Sequence, residues 1–419
     1  MNFRPFPKGL LLSAVLSFSA GLAHADGLQP NDTVAICGDS ITEQKLYSVF
    51  MEDYLLMCQP VPKLQTVQFG WSGETAAGFL ARLKNDVLLF KPTVATTCYG
   101  MNDGGYAALT PERADLYKTS LEGIVKTFKD NGVRFLVVGG PGAVDTDSFK
   151  RISPDIYNKT LSDLTAIAKE IAEKNGCAFA NVHDVMIDVM AKAKAKLGNT
   201  YLVAGGDGVH PGANGHVIMA YAFLKALGCS GEIGTITMDL KSGSAEATEG
   251  HKVLSAKDGT VEVESSRYPF CFYNDPSKPD NTFKITEFLP FNQDLNRFML
   301  VVKDAPAGQL KVTWGTVSKE FSSADLAKGI NLAAEFPENP FSKPFATVEA
   351  VIRDQQIYET PAIKSMMHSL LDWRKNFPES EDSYKAMADK IVQKDLALRE
   401  ATAKAIVPVK HTITVTAVK

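Results

Sequence analysis

Cysteine is scarce, at six in 419 residues, and Cys37, Cys58, Cys98, Cys177, Cys229 and Cys271 form neither a CxxC pair nor a Cys/His ligand spacing. That gives no basis for a zinc site or a dithiol redox motif. Cys37 and Cys98 fall inside apolar runs of strand character, where a free thiol acts as a small hydrophobe. Basic clusters are also missing, and the formal net charge is −4, so the chain has no electrostatic footprint for nucleic acid or an anionic membrane. After the first 25 residues no apolar run approaches the ~20 needed to span a bilayer. Internal repeats and low-complexity tracts are absent as well. Gly139-Gly140-Pro141-Gly142 lacks the Lys-Ser/Thr of a phosphate-binding loop and reads as a turn after a strand.

At the N-terminus, Arg4 and Lys8 precede the apolar run Leu10 to Ala23, and Ala23-His24-Ala25 follows. A basic start, a short apolar segment and a small-x-small site read as a secretory signal peptide, residues 1–25, cleaved near Ala25. Cleavage would remove two positive charges and take the net charge from −4 to −6. The expected location is secreted or periplasmic, an oxidising setting that permits disulfides. A mildly acidic exported protein suits a small or neutral substrate.

From Asp32 to about Gly228 short apolar runs alternate with amphipathic segments. Strands are expected at Thr33–Cys37, Leu64–Phe69, Val94–Tyr99, Arg134–Val138 and Ala178–Val182. Helices are expected near Lys45–Met57, Ala76–Leu88, Arg113–Asn131, Pro154–Asn175, Val185–Leu197 and Ala213–Leu227. Strands separated by helices need crossovers, so this is an α/β, three-layer, doubly wound sheet of about five parallel strands. The texture changes at Cys229-Ser230-Gly231-Glu232, which divides a region 26–232 from a region 233–419. Residues 233–350 alternate like antiparallel strands. A helical pair is expected at about 362–405, from Ala362–Asn376 and Ser383–Ala405, before a terminal strand at Thr412–Val418. Tyr268, Phe270, Phe272 and Tyr273 read as core ahead of a sugar-stacking platform.

Four segments fall at the expected strand ends, where ligand sites of open α/β sheets collect. Gly38-Asp39-Ser40-Ile41-Thr42 follows the first strand and lifts a serine hydroxyl to the sheet edge, while Asp39 and Glu43 suit the start of a helix. Gly70-Trp71-Ser72-Gly73-Glu74 follows the second strand. Gly100-Met101-Asn102-Asp103 follows the third and offers an amide with two donors. Gly206-Asp207-Gly208-Val209-His210-Pro211 sets an acid three residues before a histidine. A serine hydroxyl becomes nucleophilic when a base takes its proton, and an acid within reach of the histidine fixes the ring tautomer. His216 and His183 read as packed or structural.

These four blocks, in this order over about residues 32–228, resemble the SGNH hydrolases, also called GDSL-type esterases and lipases, with Ile41 in place of the name motif's leucine. The resemblance implies Ser40 as nucleophile, His210 as base and Asp207 as its orienting acid, with an oxyanion hole from Ser40 N–H, Gly73 N–H and the Asn102 side chain. It implies ester hydrolysis through an acyl-enzyme, with no metal and no organic cofactor. Trp71, Tyr99 and Met101, with Tyr106, flank the blocks and are expected to line the substrate pocket. Resemblance to secreted members with accessory β regions favours removal of acetyl groups from a carbohydrate. A lipase or short-chain acyl esterase is the alternative, and a glycan-binding protein with an inert hydrolase domain is the alternative of another class. The expected partner is a small ester or acetylated glycan, with no nucleic acid and no integral membrane association.

Overall fold

Val34-Ala35-Ile36-Cys37 is apolar without alternation, the pattern of a strand covered on both faces, and it forms β1 (Thr33–Gly38). The computed structural model describes residues 27–273, 275, 277–278 and 280–418. The expected export segment, residues 1–25, lies outside them. With β2 (Gln65–Gln68), β3 (Val94–Cys98), β4 (Phe135–Gly139) and β5 (Ala178–Ala180), β1 builds a wholly parallel sheet in the order β2-β1-β3-β4-β5. The order reverses between β1 and β3, and the crevice there is the usual ligand position of such sheets.

The chain enters this sheet region through α1 (Ser40–Glu43) and α2 (Tyr47–Asp53), the latter continuing as a π-turn over Tyr54–Cys58. The crossovers are α3 (Ala76–Asp86), α4 (Pro111–Asp130), α5 (Pro154–Lys174) and α6 (Val182–Leu197), and α7 (Ala213–Ala226) closes the series. Thr75 and Thr110 cap α3 and α4 by accepting backbone N–H bonds, and Pro111 and Pro154 occupy first-turn positions that need no N–H donor. All six cysteines are buried free thiols, and burial raises the thiol pKa of Cys37 and Cys98 well out of the reactive range.

The C-terminal region holds two further sheets. One, in the order β13-β10-β6-β7, comprises β6 (Glu232–Asp239), β7 (Ser244–Ala247), β10 (Arg297–Lys303) and β13 (Ile330–Asn331). The other, in the order β12-β11-β14-β9-β8, comprises β8 (His251–Lys257), β9 (Thr260–Ser265), β11 (Gln309–Trp314), β12 (Val317–Ser322) and β14 (Val409–Ala417). The pairing is antiparallel except between β6 and β10, which run parallel; alternation along a strand carries no signal of direction. The terminal strand enters the middle of its sheet, between β11 and β9.

The inward faces of the two sheets meet around Phe298 and Trp314, whose rings lie 5.7 Å apart. A buried polar relay crosses this core: Trp314 Nε1 donates to His411 Nδ1 at 3.1 Å, the other His411 nitrogen meets Ser265 Oγ at 2.9 Å, and Ser265 Oγ meets His251 Nδ1 at 2.8 Å. Burial, together with neighbouring His251, lowers His411 to about 3, which keeps the ring neutral.

Short helices α8 (Phe291–Leu295), α9 (Ser323–Lys328) and α10 (Leu332–Glu335) decorate the sheets. The helical excursion is longer than its pattern suggested. It begins with α11 (Ser342–Pro361), continues through a π-turn at Ala362–Met367 into α12 (Leu370–Asn376), and returns along α13 (Glu381–Ala405). The start of α11 falls in the region 233–350 expected to be strands, and residues 351–361 carry no expected element, because its buried positions include Glu349, Gln355, Gln356 and Glu359, which an apolar periodicity cannot register.

This excursion lies against the β2 side of the catalytic sheet. Glu359 accepts the Gln68 N–H at 2.7 Å, and Ser48 donates to Gln356 at 2.7 Å. One apolar cluster runs across residue 232, joining Phe50 and Tyr54 to Phe270 and Phe291. Tyr268 and Phe270 are core, Phe272 is half-buried, and Tyr273 is exposed and accepts from Arg353 at 3.2 Å.

Candidate active site

Asp39 ends the β1 turn and caps α1, its Oδ1 accepting the Ile41 N–H at 2.9 Å. This sets Ser40 at the first position of α1, at the carboxyl edge of the sheet. Burial, with Asp103 and Glu74 nearby, outweighs the Ile41 bond and pushes the Asp39 carboxyl up to about 7. Asp103 ties the neighbouring turn, accepting from Ala76 N–H and Gly100 N–H at 2.9 Å each.

Ser40 Oγ lies 2.9 Å from His210 Nε2, and His210 Nδ1 lies 2.7 Å from Asp207 Oδ2. The second Asp207 oxygen accepts the Val209 and His210 backbone N–H groups, each at 2.9 Å. Partial burial opposes charge on Asp207, but the His210 ring and these N–H bonds outweigh it and hold the carboxyl below the usual range. An ionised Asp207 accepts a hydrogen bond from His210 Nδ1–H, which keeps the ring proton on Nδ1 and leaves Nε2 with a lone pair facing the Ser40 hydroxyl. The loop is closely folded behind the histidine: Gly205 has φ +76°, and a Cβ there would come within 1.8 Å of the His210 carbonyl oxygen.

Three donor groups flank Ser40. Its own N–H and that of Gly73 (φ +78°) have no protein acceptor among the described residues. The Asn102 amide donates to the Glu74 carbonyl at 3.0 Å and makes only a long 3.4 Å contact to Asp39. Tyr106 O–H donates to the Asn102 carbonyl oxygen at 3.3 Å, which orients that amide with its NH₂ toward the loop. Tyr106 stacks on Tyr157 at 5.0 Å.

Beneath the loop lies a buried ionic core. Arg82 donates to both Glu74 oxygens at 2.5 and 2.7 Å and to the Phe69 carbonyl at 2.7 Å. Tyr99 O–H also reaches Glu74, at 3.0 Å, and Tyr99 stacks on Phe79 at 5.1 Å. Tyr99 and Met101 are almost fully buried. The structure therefore places these two expected pocket residues in the packing behind the site: Tyr99, just before the turn, and Met101, within it, both turn their side chains into the core. Trp71 remains partly exposed, edge-on to His368 at 4.9 Å and 4.8 Å from Arg82.

His216 is fully buried, and burial lowers it to about 3. Its Nδ1 accepts the Tyr47 N–H at 3.1 Å and its Nε2 meets Gln44 at 3.2 Å, so both ring nitrogens are occupied away from Ser40. His183 is likewise buried and bonded to Asp184 at 2.9 Å. Sequence reasoning placed Glu43 only in a first helical turn. Here its carboxylate accepts from Ser72 N–H at 2.5 Å, Ser72 Oγ at 2.6 Å, and Lys364 Nζ at 2.9 and 3.0 Å. No local signal reveals this, since Glu43 and Lys364 are 321 residues apart.

Residues 36–218 match the model of the GDSL-like lipase/acylhydrolase family. An acetylxylan esterase of Geobacillus stearothermophilus is 26% identical over 189 residues, covering 43% of this chain and 80% of that protein. Among solved structures, a gut microbial diltiazem-metabolizing enzyme is similar over 93% of this chain and 98% of its own, with a TM-score of 0.71 and 22% identity. That likeness is one of fold, and it extends through the C-terminal region. The crystal structure of the Geobacillus acetylxylan esterase covers 48% of this chain and 97% of its own, with a TM-score of 0.41 and 23% identity.

Proposed function

Residues 36–218 belong to the SGNH hydrolase superfamily and make this protein a carboxylic ester hydrolase, and from that premise we propose that it cleaves esters through a Ser40–His210–Asp207 triad. The observation that carries this reading is the continuous bond path from Ser40 Oγ through the His210 ring to Asp207, at 2.9 and 2.7 Å.

His210 Nε2 takes the hydroxyl proton as Ser40 Oγ attacks the ester carbonyl carbon. The resulting oxyanion is met by the N–H groups of Ser40 and Gly73 and by the Asn102 amide, each donor of this kind being worth ~10²–10³ in turnover. His210 then gives its proton to the departing alkoxide, leaving acyl-Ser40. Water, deprotonated by the same nitrogen, attacks the acyl carbon, and the carboxylic acid leaves as Ser40 regains its proton. Asp207 holds the ring in one tautomer and stabilises it while positive.

The preferred substrate in this reading is an acetyl ester of a carbohydrate. The triad lies at an open surface, with Ser72 and Gly73 exposed and His210 half-buried, which admits a bulky alcohol. Tyr99 and Met101, two of the apolar side chains in and beside the blocks, are closed into the core and so do not line a site for a long acyl chain. The acetylxylan esterase relative supports the same class. Residues 1–25 are proposed to direct export, which N-terminal sequencing of the exported protein tests: the mature chain is expected to begin at Asp26. Among the described residues no helix is long and apolar enough to cross a membrane.

Hydrolysis of p-nitrophenyl acetate, butyrate and laurate, alongside acetate release from acetylated xylan and pectin, separates the substrate readings. Faster cleavage of laurate than acetate, with no acetate from either polymer, would overturn the carbohydrate reading in favour of a lipase. Retention of hydrolysis by Ser40→Ala would overturn the triad.

A further inference from the structure

We propose that Lys364, supplied by the C-terminal excursion, is a positioning residue for hydrolysis: through Glu43 it fixes the Ser72–Gly73 turn that presents an N–H to the oxyanion. The inference rests on the triad reading above. Glu43 lies on the same short helix as Ser40, one turn further on. Its carboxylate receives two bonds from Ser72 and two from Lys364. A single side chain thus joins the nucleophile turn, the loop carrying Gly73 and the π-turn at Ala362–Met367.

The Gly73 turn needs such a tie. Ser72 and Gly73 are exposed, and the space where a Gly73 Cβ would stand has no neighbour within 4 Å, so side-chain packing does not hold the N–H in place; the turn is closed by Glu74 N–H donating to the Trp71 carbonyl at 3.1 Å, and its exposed Ser72 corner is what Glu43 holds. What precedes it is tightly seated. A Cβ on Gly70 would come within 2.4 Å of the Glu43 nitrogen, and Trp71 N–H donates to the Gly38 carbonyl at 3.0 Å. Between this seated segment and Gly73 stands Ser72, whose backbone and hydroxyl are both committed to Glu43.

Lys364 has a second effect. A lone carboxylate beside the turn would oppose negative charge developing on the substrate oxygen, and the ammonium 2.9 Å away offsets it. Partial burial works against the Glu43 charge, but Ser72 and Lys364 outweigh it and hold the carboxyl below its usual range. The Lys364 ammonium also lies 5.1 Å from the centroid of the Trp71 ring, seated between ring and carboxylate. Fully exposed ion pairs contribute little; this one has side chains only 24% and 19% exposed and a geometry fixed on both oxygens.

The test uses the full chain and p-nitrophenyl acetate, with kcat and KM measured separately and folding followed by circular dichroism. Lys364→Met and Ser72→Ala are each expected to lower kcat about tenfold while KM changes by less than about threefold, because a misplaced donor weakens transition-state contacts more than ground-state binding. Lys364→Arg is expected to recover most of the loss. The Lys364→Met/Ser72→Ala double variant is expected to fall no further than the worse single variant, since both break one tie.

A Lys364→Met kcat within about twofold of the parent, losses that multiply in the double variant, or an arginine variant as impaired as methionine each overturn the proposal. If Lys364→Met does not fold, Glu43→Gln tests the same link, and an unchanged kcat there overturns it. Ser40→Ala runs in parallel. Its inactivity beside an unaffected Lys364→Met rejects the positioning role alone, whereas its activity rejects the triad itself.

Discussion

Asp207→Asn changes one atom and is expected to abolish most activity by inverting a tautomer. In the parent, Asp207 Oδ1 accepts two backbone N–H bonds at 2.9 Å and Oδ2 accepts from His210 Nδ1 at 2.7 Å. An asparagine keeps the loop by turning its carbonyl oxygen to the two N–H groups, so its NH₂ must face Nδ1. That nitrogen becomes an acceptor, the ring proton moves to Nε2, and Nε2 meets the Ser40 hydroxyl 2.9 Å away as a donor, unable to take its proton. The expected loss in kcat/KM is about 10³–10⁴, or ~4–5.5 kcal/mol of transition-state stabilisation. Because the Asp207 side chain is 52% exposed, its Coulombic contribution is screened and the tautomer carries most of the effect. Asp207→Ala, which lets water serve the ring, is therefore expected to lose no more than the asparagine variant. Initial rates on p-nitrophenyl acetate, with circular dichroism to confirm the fold, provide the assay. An asparagine variant within about tenfold of the parent, or an alanine variant far worse than asparagine, would refute the argument.

Arg82→Met takes the guanidinium away from Glu74 and Asp86, two buried carboxylates it faces at 2.5 and 3.6 Å, leaving Glu74 with only the Tyr99 hydroxyl as a side-chain donor among the described residues, and is expected to cost about 3–5 kcal/mol in urea unfolding; a loss under ~1 kcal/mol contradicts this. Gly205→Ala forces a Cβ against the His210 carbonyl at a backbone angle of +76°, and kcat is expected to drop on the order of 100-fold, with near-parental activity as the contrary outcome. Asp53 is fully buried, and among the described residues neither of its oxygens has a hydrogen-bond partner. Burial, then Glu349 and Glu52, raise its pKa well above the carboxylate range while Arg353 opposes them. The folded chain holds this proton where the unfolded chain has released it, so the contribution to stability is present in acid and is lost as pH rises through the raised value. Asp53→Asn is expected to raise the melting temperature at pH 8, on the order of 1–3 kcal/mol of relief, and to give a smaller gain at pH 5, nearer the range in which the unfolded carboxylate itself takes up its proton. A gain equal at both pH values would show that charge is not the cause.

The catalytic half of the molecule was readable because its information is local. Uninterrupted apolar runs such as Val34–Cys37 and Val94–Cys98 mark buried parallel strands, and each of the four chemical blocks is a short turn with its own residue signature. The structure brings Ser40, His210 and Asp207 into contact; of these pairs only Asp207 with His210 is local in sequence. What escaped was carried by distance or by polar burial. The α11 helix faces the catalytic sheet with glutamines and glutamates, so its pattern does not separate inside from outside. The parallel pairing of β6 with β10 has no trace in alternation. Tyr99 and Met101 sit one and three residues after β3, and nothing in their type says whether the chain there turns a side chain outward or inward. Lys364 belongs to the site only through a contact across 321 positions.

The polar seam and the remote lysine explain each other. Glu52, Asp53, Glu349, Glu359 and Asp395 are all buried where α11 and α13 meet α2 and β2, and burial raises the pKa of every one of them. An apolar seam of the same shape would be as stable or more so. It would also tolerate a slip along the helix, since apolar contacts are not directional. Here Glu359 must meet the Gln68 N–H, Gln355 must reach Glu52 at 3.0 Å, and Gln356 must reach Glu52 at 2.8 Å and Ser48 at 2.7 Å. A slip of one helical turn, ~5.4 Å, breaks all of these at once. The same slip would carry Lys364, in the π-turn that follows α11 directly, beyond reach of Glu43. Directional bonds at the seam thus set the register that delivers the ammonium to the oxyanion loop, which accounts for buried charge at a surface where hydrophobic packing alone would have sufficed for stability.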